Sequence, residues 1–405
     1  MLKNMMYRQV FILASAQALF QIVSVAVMTV GGLAGAMLAS SPRWATLPIA
    51  MMFLGTAIMM FPTSIWMSKV GRRTGFLCGT MLGIAGGLIA ALGIWQSSLV
   101  LLSLGTFLIC TYQAFAQFYR FAASEVADNA FRPRAISLVL AGGVVAAILG
   151  PLLARLGGPL LEPEYLASFL IIALVSLVAT AVLLGFRLPP HAEAEAAATA
   201  QSADKGRPWQ QIVFQPSYLI ALFGAASGYG IMILGMTAAP IAMMQNSHEL
   251  ATAATVIQLH VLGMFLPSFF TGSLITRFGV LRIMFIGVLL FCGRVFFAVS
   301  GTDFTSFAAA LILLGVGWNF LYIGGTTLLT TTYKPSEKAR AQAINDLFIF
   351  IVGLVCSFSA GGMLEAIGWE KTNLSLIPWL VLIMLSLIWF TYRQRNQLKV
   401  SPNKA

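Results

Sequence analysis

SIWMSKVGRR, at residues 64–73, and GSLITRFGVLR, at residues 272–282, are two versions of the same basic turn. Lys-Val-Gly at 69–71 aligns with Arg-Phe-Gly at 277–279, and the offset between them is 208 residues. Each version follows one long apolar run and precedes another. Self-similarity at a fixed offset indicates that the chain contains a duplicated unit of several apolar segments.

Twelve apolar runs make up most of the chain. A bilayer core about 30 Å thick needs about 20 helical residues to cross it, and each run has roughly that length. Two further matching segments, FRPRA and EKARA, precede the fifth and the eleventh run. The sequence therefore predicts an all-α membrane protein with twelve transmembrane helices in two pseudo-symmetric six-helix bundles. The predicted helices 1 to 12 cover residues 9–32, 45–68, 75–94, 98–120, 135–157, 165–187, 217–240, 252–272, 279–300, 304–330, 340–364 and 372–392.

The composition agrees with lipid contact rather than with a water-soluble fold. Of the 405 residues, 59% are hydrophobic and 9% are charged, against about 25% charged residues in a soluble domain. The net charge of +11 does not predict a nucleic-acid partner, because the Lys and Arg residues lie between apolar runs and form no continuous basic face. The expected partners are the lipid bilayer and a small-molecule substrate, and we expect a monomer.

The distribution of Lys and Arg residues predicts how the chain is oriented in the membrane. Most of the 24 Lys and Arg residues fall in loops on one side of the membrane, whereas the other side carries only Arg43, Arg155 and Lys371. Cytoplasmic loops are the ones enriched in Lys and Arg. We therefore expect a multi-pass protein of the inner (plasma) membrane with both termini in the cytoplasm.

One long polar segment, HAEAEAAATAQSADKGRPWQQ at residues 191–211, separates the two sets of helices. The predicted domains are an N-terminal six-helix bundle at 1–188, a cytoplasmic linker at 189–212 and a C-terminal six-helix bundle at 213–405.

The motifs of enzymes are missing from the sequence. It contains no phosphate-binding G-x-x-x-x-G-K-[ST] loop, no nucleophile elbow and no Cys-His spacing of a zinc site. The four cysteines all lie within apolar runs and form no close pair. We predict neither an enzyme nor a bound metal or other cofactor.

The basic turns resemble the loop signature G-x-x-x-D-R-x-G-R-R of the major facilitator superfamily, and the resemblance extends over essentially the whole chain. The acidic position of that signature is Ser68 in one copy and Thr276 in the other, so the usual carboxylate of this loop is absent. The resemblance implies a secondary transporter whose helices 1, 4, 7 and 10 line a central cavity. The matching residues are Lys69, Gly71, Arg72 and Arg73 in the first copy and Gly272, Arg277 and Gly279 in the second.

Helix 5 contains AGGVVAAILGPLLARLGG at residues 141–158, which is similar to part of a Gly-Pro motif of the antiporters in this family. Pro151 removes a backbone hydrogen bond and permits a bend. Small residues also let helices pack closely, and this explanation is equally good. The motif modestly favours efflux.

Polar side chains on the cavity-lining helices are the candidates for substrate contact. Helices 1 and 4 each carry three polar residues spaced i, i+4 and i+7, which places each set on one helical face. Helix 10 adds aromatic residues with a polar edge, which suit a ring-bearing or amphipathic substrate. Hydrogen bonding between helices and ordinary packing are the competing explanations, and for Arg120 an anchor at the membrane interface. The candidates are Gln17, Gln21, Ser24, Gln113, Gln117, Arg120, Tyr229, Trp318, Asn319 and Tyr322.

The charged residues suggest a gate. We hypothesise that Asp346 pairs with the first basic turn and that Glu125 or Asp128 pairs with the second, which would latch the cytoplasmic side and couple protons to the conformational change. Helix capping is the alternative role for these carboxylates. The coupling or gating candidates are Glu125, Asp128, Asp346, His260, Arg294, Lys69, Arg72, Arg73, Arg277, Arg282 and Pro151.

Two of these candidates lie within predicted helices. His260 in helix 8 suits either proton exchange or a hydrogen-bonded neutral ring. Arg294 in helix 9 needs an acidic partner, an anionic substrate or access to the interface, in that order of preference.

The preferred function is proton-coupled efflux of a small amphipathic molecule by alternating access. No acidic residue lies near the middle of helices 1, 4, 7 or 10, so the substrate is expected to be neutral, zwitterionic or anionic. The alternatives are uptake of a nutrient or metal chelate by the same fold, and a sensor or assembly factor that transports nothing.

Overall fold

The computed structural model describes residues 2–40, 44, 47–188 and 206–400. All regular secondary structure in this part of the chain is helical, which confirms the predicted fold class. Most of the predicted linker, residues 189–205, lies outside the described residues.

The twelve predicted helices are all present, and several are longer than predicted or are broken. Helices 4, 5 and 8 each consist of two pieces, and a short helix Trp209–Val213 precedes helix 7. In chain order, helices 1 to 6 are Leu2–Leu38, Leu47–Val70, Arg72–Trp95, Leu99–Ala116 with Tyr119–Val126, Arg132–Ala141 with Gly143–Gly157, and Leu166–Leu184. Helices 7 to 12 are Pro216–Gln245, Leu250–Phe265 with Ser268–Phe278, Val280–Ser300, Phe304–Leu329, Lys338–Leu374 and Ile377–Val400.

Among the described residues, eleven stretches are long and apolar enough to cross a membrane. Helices 1 to 10 supply one stretch each, and the last, Pro335–Asn396, contains both helix 11 and helix 12. Gly368 interrupts helix 11 with a φ of 75° and a ψ of 175°. The eleven stretches therefore contain twelve helices, the number that the sequence predicts.

The two basic turns share one backbone conformation. Gly71 joins helices 2 and 3 with a φ of 87° and a ψ of 158°, and Gly279 joins helices 8 and 9 with a φ of 89° and a ψ of 149°. Nothing lies within 4 Å of the position where a Cβ would be at either residue, so the backbone angle and not space requires glycine. The sequence repeat is therefore also a structural repeat.

The helices form two compact units. The first comprises Met1–Lys205 and Lys338–Leu347, and the second comprises Gly206–Glu337 and Phe348–Ala405. In the first unit helix 4 packs against helices 2 and 3, and in the second unit helix 10 packs against helices 8 and 9 in the same way. The first ten residues of helix 11 belong to the first unit, although the sequence alone assigns them to the C-terminal bundle.

Candidate functional site

The glutamines of the first unit are less available than their spacing suggests. On helix 1, Gln17 is buried, and Gln21 and Ser24 are half-buried. On helix 4, the Oε1 atom of Gln113 accepts a hydrogen bond of 3.2 Å from Thr56 on helix 2. Gln113 thus helps to hold two helices together, as the competing explanation required.

Arg120 does not lie at the membrane interface. Its side chain is 2% exposed, and Nη2 lies 2.5 Å from Oδ1 of Asp346, which is 1% exposed. Gln117 accepts a second hydrogen bond from the guanidinium at 3.1 Å, and Asn345 donates to the same Asp346 oxygen at 2.9 Å. The anchor explanation is wrong, because Arg120 faces into the bundle and binds a carboxylate there.

A second ion pair lies in the same unit. Arg72 Nη2 is 2.8 Å from Glu125 Oε1, and Lys338 Nζ is 3.5 Å from Glu125 Oε2. Arg72 also donates to Gln342 at 2.7 Å, and Ser64 donates to the carbonyl of Ala339 at 2.9 Å. The start of helix 11 is therefore bound to the ends of helices 2, 3 and 4.

These contacts correct the predicted pairs. The hypothesis joined Asp346 to the basic turn that includes Lys69, Arg72 and Arg73, but Asp346 binds Arg120. Lys69 is exposed, and Arg73 donates to the carbonyl of Leu184 at 2.9 Å. Arg120 is the partner because its buried side chain on helix 4 lies next to the buried carboxylate of Asp346 on helix 11.

The predicted partners of the second basic turn are also different. Glu125 is occupied by Arg72 and Lys338, and Oδ1 of Asp128 accepts the backbone N–H of Phe131 at 2.7 Å before helix 5. Asp128 therefore holds the turn before helix 5 rather than a residue of the second basic turn. The guanidinium of Arg277 lies over the ring of Phe278, and Arg282 is exposed.

One further ion pair joins two residues for which the sequence predicts no pairing. In the second unit, Arg207 Nε and Nη2 bind the two carboxylate oxygens of Glu337 at 2.8 and 2.7 Å. This hydrogen bonding to Glu337 raises the pKa of Arg207 above its ordinary value. Arg207 lies in the predicted linker, and Glu337 lies in the repeated segment EKARA before helix 11. Neither segment carries a pattern that predicts an ion pair.

The aromatic candidates form a stack in the second unit. The rings of Trp318 and Tyr322 lie 4.9 Å apart with 17° between their planes, and Tyr229 on helix 7 lies 6.3 Å from Tyr322. Phe265 contacts Trp318 edge-on at 5.8 Å. The indole Nε1 of Trp318 is buried and has no hydrogen-bond partner among the described residues, so it remains a donor for a ligand.

Asn319 faces helix 8 rather than helix 7. Its Nδ2 donates to Ser268 Oγ at 2.6 Å and to the carbonyl of Met264 at 2.7 Å, and its Oδ1 accepts from Thr271 at 2.6 Å. The next residue on a helix is rotated by about 100° from its neighbour, which turns Asn319 away from the face of Trp318. We therefore correct its role from substrate contact to helix packing.

His260 and Arg294 are fully buried in the second unit. Nδ1 of His260 lies 2.8 Å from the carbonyl of Leu311. Arg294 has neither an acidic partner nor any hydrogen bond within the part of the chain that is described. The favoured acidic partner is thus absent, and complete burial excludes access to the interface.

The glycines of helix 5 serve packing. A Cβ on Gly142 would lie 2.6 Å from the carbonyl oxygen of Ala14, and one on Gly150 would lie 2.7 Å from Cβ of Val25. Helix 5 therefore approaches helix 1 along these positions, and Pro151 lies inside the helix next to them.

Comparisons with known proteins agree on one family. A sequence model of the Major Facilitator Superfamily matches residues 10–238 and 220–405. The chain is 39% identical over 382 residues to the riboflavin transporter RfnT of Brucella anthropi, covering 94% of this chain and 95% of that protein. It is 27% identical over 380 residues to the uncharacterized MFS-type transporter YddS of Bacillus subtilis, covering 90% and 87%.

Solved structures share the fold at low identity. The transporter FucP in its outward conformation superposes with a TM-score of 0.75 at 15% identity, covering 94% of this chain and 98% of that one. The human organic anion transporter MFSD10 gives a TM-score of 0.73 at 12% identity, covering 94% and 99%.

Proposed function

The chain belongs to the Major Facilitator Superfamily, and we propose that it is an uptake transporter for an uncharged, ring-bearing nutrient of the riboflavin type. It is a multi-pass membrane transporter, and both termini are proposed to lie in the cytoplasm. The observation that carries the substrate class is the stack of Trp318 and Tyr322, because flat heteroaromatic rings bind favourably on such surfaces.

The chemistry of riboflavin suits the residues present. It is an uncharged molecule with a flat heteroaromatic ring system and a chain that bears several hydroxyl groups. Helices 1, 4, 7 and 10 carry no central carboxylate that would select a cation. In the second unit, Nε1 of Trp318, which has no partner among the described residues, offers a hydrogen bond to such a molecule.

The direction of transport is proposed to be uptake and not the efflux favoured from the sequence. The argument for efflux came from the glycines of helix 5, and the close approach of Gly142 and Gly150 to helix 1 accounts for them without an antiport role. The 39% identity to a riboflavin transporter supports a nutrient as the substrate.

The gate is proposed to be the network at the start of helix 11. Arg120 and Asp346, together with Arg72, Glu125 and Lys338, hold residues 338–347 against the N-terminal bundle. Oδ2 of Asp346 has no hydrogen-bond partner among the described residues and is a place where a proton would add. Protonation there would cancel the charge that holds Arg120 and release helix 11, which links a proton to the conformational change.

The test is uptake of labelled riboflavin by cells that express this protein and lack their own riboflavin transporter. We expect saturable accumulation that excess unlabelled riboflavin suppresses and that a protonophore reduces. No accumulation above that of cells without the protein would refute the proposed substrate. Accumulation that the protonophore leaves unchanged would refute proton coupling alone.

The stack is tested separately. Trp318→Ala should raise the KM for riboflavin about 10-fold, because it removes one stacking surface and one hydrogen-bond donor. Trp95→Ala is the matched control, since Trp95 is 68% exposed at the end of helix 3. Equal KM values for the two variants would contradict the role of Trp318.

A further inference from the structure

Arg294 has five N–H donors inside the second unit, and none of them bonds to a residue that the structure describes. Nε, Nη1 and Nη2 are all buried and lack partners among the described residues. A guanidinium in an apolar environment is costly unless something binds it. The sequence retains it in the middle of an apolar helix, so a ligand is the natural partner.

His260 offers the complementary atom. A carbonyl oxygen only accepts, so the contact with Leu311 makes Nδ1 the donor and leaves a lone pair on Nε2. Nε2 is also buried and without a partner among the described residues. The two side chains meet the same turn of helix 10: His260 contacts the carbonyl of Leu311, and Nη2 of Arg294 and Cδ2 of Leu314 both lie 2.7 Å from the Cβ position of Gly235. Unused donors and an unused acceptor therefore lie along one turn of helix 10.

This pairing selects a particular ligand chemistry. An anion supplies only acceptors and would leave the lone pair of Nε2 unmatched. A cyclic imide, C=O, N–H, C=O in one rigid plane, places a carbonyl acceptor for the Arg294 donors directly beside an N–H donor for His260. Flavin rings carry this edge on the pyrimidine end of the ring system.

The position of the pair relative to the aromatic stack fits a flat ring. A Cβ on Gly235 of helix 7 would lie 2.7 Å from Nη2 of Arg294 and 2.7 Å from Cδ2 of Leu314. Leu314, Trp318 and Tyr322 follow one another at four-residue intervals on helix 10, about 6 Å per step. The guanidinium thus lies about one helical turn from the stacked rings.

We propose that Arg294 and His260 form the subsite that recognises the imide edge of a heteroaromatic substrate whose ring lies on Trp318 and Tyr322. This inference rests on the proposed function and adds how the substrate is distinguished from other rings. Both side chains are 0% exposed here, so a ligand reaches the subsite only when the helices of the second unit that cover it move apart. Gly235 adds no side chain on the face of helix 7 that lies beside the guanidinium.

The experiment compares riboflavin with N3-methylriboflavin, in which a methyl group replaces the imide hydrogen. Binding to the purified protein in detergent is followed by quenching of flavin fluorescence, and uptake is measured in the cells described above. The wild-type protein should bind N3-methylriboflavin at least about 10-fold more weakly than riboflavin. This comparison needs no variant and does not depend on whether a mutated chain folds.

His260→Leu should remove most of the discrimination, because no acceptor for the imide hydrogen remains. His248→Leu is the matched control, since Nε2 of His248 bonds to the carbonyl of Thr302 near the ends of helices 7 and 9. It should keep the wild-type discrimination.

The outcomes separate the two proposals. If riboflavin is transported and N3-methylriboflavin binds equally well, the imide subsite is wrong and the proposed function stands. If His260→Leu folds and still discriminates fully, His260 is not the acceptor and the subsite as proposed is overturned. If riboflavin neither binds nor is transported, the proposed function fails and the subsite fails with it.

Discussion

Two buried arginines, one in each unit, have opposite surroundings. Arg120 in helix 4 is bound by the buried carboxylate of Asp346, whereas Arg294 in helix 9 has no partner among the described residues. A buried charge that is neutralised within the protein can hold two helices together. A buried charge that is left unneutralised is available to a ligand. The same residue type therefore suits a gate in one unit and a binding site in the other.

The largest expected effect comes from breaking the ion pair between Arg120 and Asp346. Asp346→Asn leaves the Arg120 charge buried and uncompensated, which costs about 3–5 kcal/mol and should lower the Tm in detergent by roughly 5–10 °C. Riboflavin uptake should fall with it. Asp128→Asn is the control, because Asp128 is exposed and its side chain bonds only to the nearby backbone N–H of Phe131.

A double replacement sharpens this result. Arg120→Met with Asp346→Leu removes both charges and should recover most of the lost Tm, since apolar side chains replace a buried pair at little cost. Protonophore-sensitive uptake should stay lost. A double variant that is as unstable as Asp346→Asn would show that the pair is not the reason for the destabilisation.

Replacing the unpaired Arg294 should change the Tm in the opposite direction. Arg294→Leu removes a buried charge that no described residue neutralises, so we expect the Tm to rise by a few degrees, from a gain of about 1–4 kcal/mol. Riboflavin uptake should nevertheless fall at least about 10-fold. Arg120→Leu, measured beside it, should lower the Tm. If both variants are destabilised equally, the contrast between the two arginines does not exist.

The smallest expected effect concerns the space beside Arg294. Gly235→Ala places a Cβ 2.7 Å from Nη2 of Arg294 and 2.7 Å from Cδ2 of Leu314, so the ends of these two flexible side chains must shift to make room. The KM for riboflavin should rise several-fold. Gly361→Ala is the matched control, because nothing lies within 4 Å of its Cβ position and alanine favours the helix by up to about 1 kcal/mol. A KM for Gly235→Ala equal to that of Gly361→Ala would place the ligand elsewhere.

Much of the fold was accessible from sequence because each helix is a local solution to the membrane. About 20 apolar residues must form a helix to satisfy their backbone in lipid, so the twelve spans could be read directly. The repeat of the basic turns predicted the shared glycine conformation at Gly71 and Gly279 only in part. It gave the alignment, and the structure gave the positive φ.

The candidate site could be predicted from the sequence to a smaller extent than the fold. Helical spacing placed Trp318 and Tyr322 on one face, and the structure stacks them. The same spacing did not show that Asn319 belongs to helix 8 or that Gln113 belongs to helix 2. Periodicity indicates which residues share a face, but it does not indicate which neighbour that face meets.

The sequence by itself therefore determined the class of protein, the number of crossings and the internal repeat, because lipid acts on each segment separately. Only the tertiary structure decided which charges are neutralised. Arg120 and Asp346 are 226 residues apart, and no local pattern links them. Whether a buried arginine finds a carboxylate depends on which helices pack together, and that is what distinguishes Arg120 from Arg294.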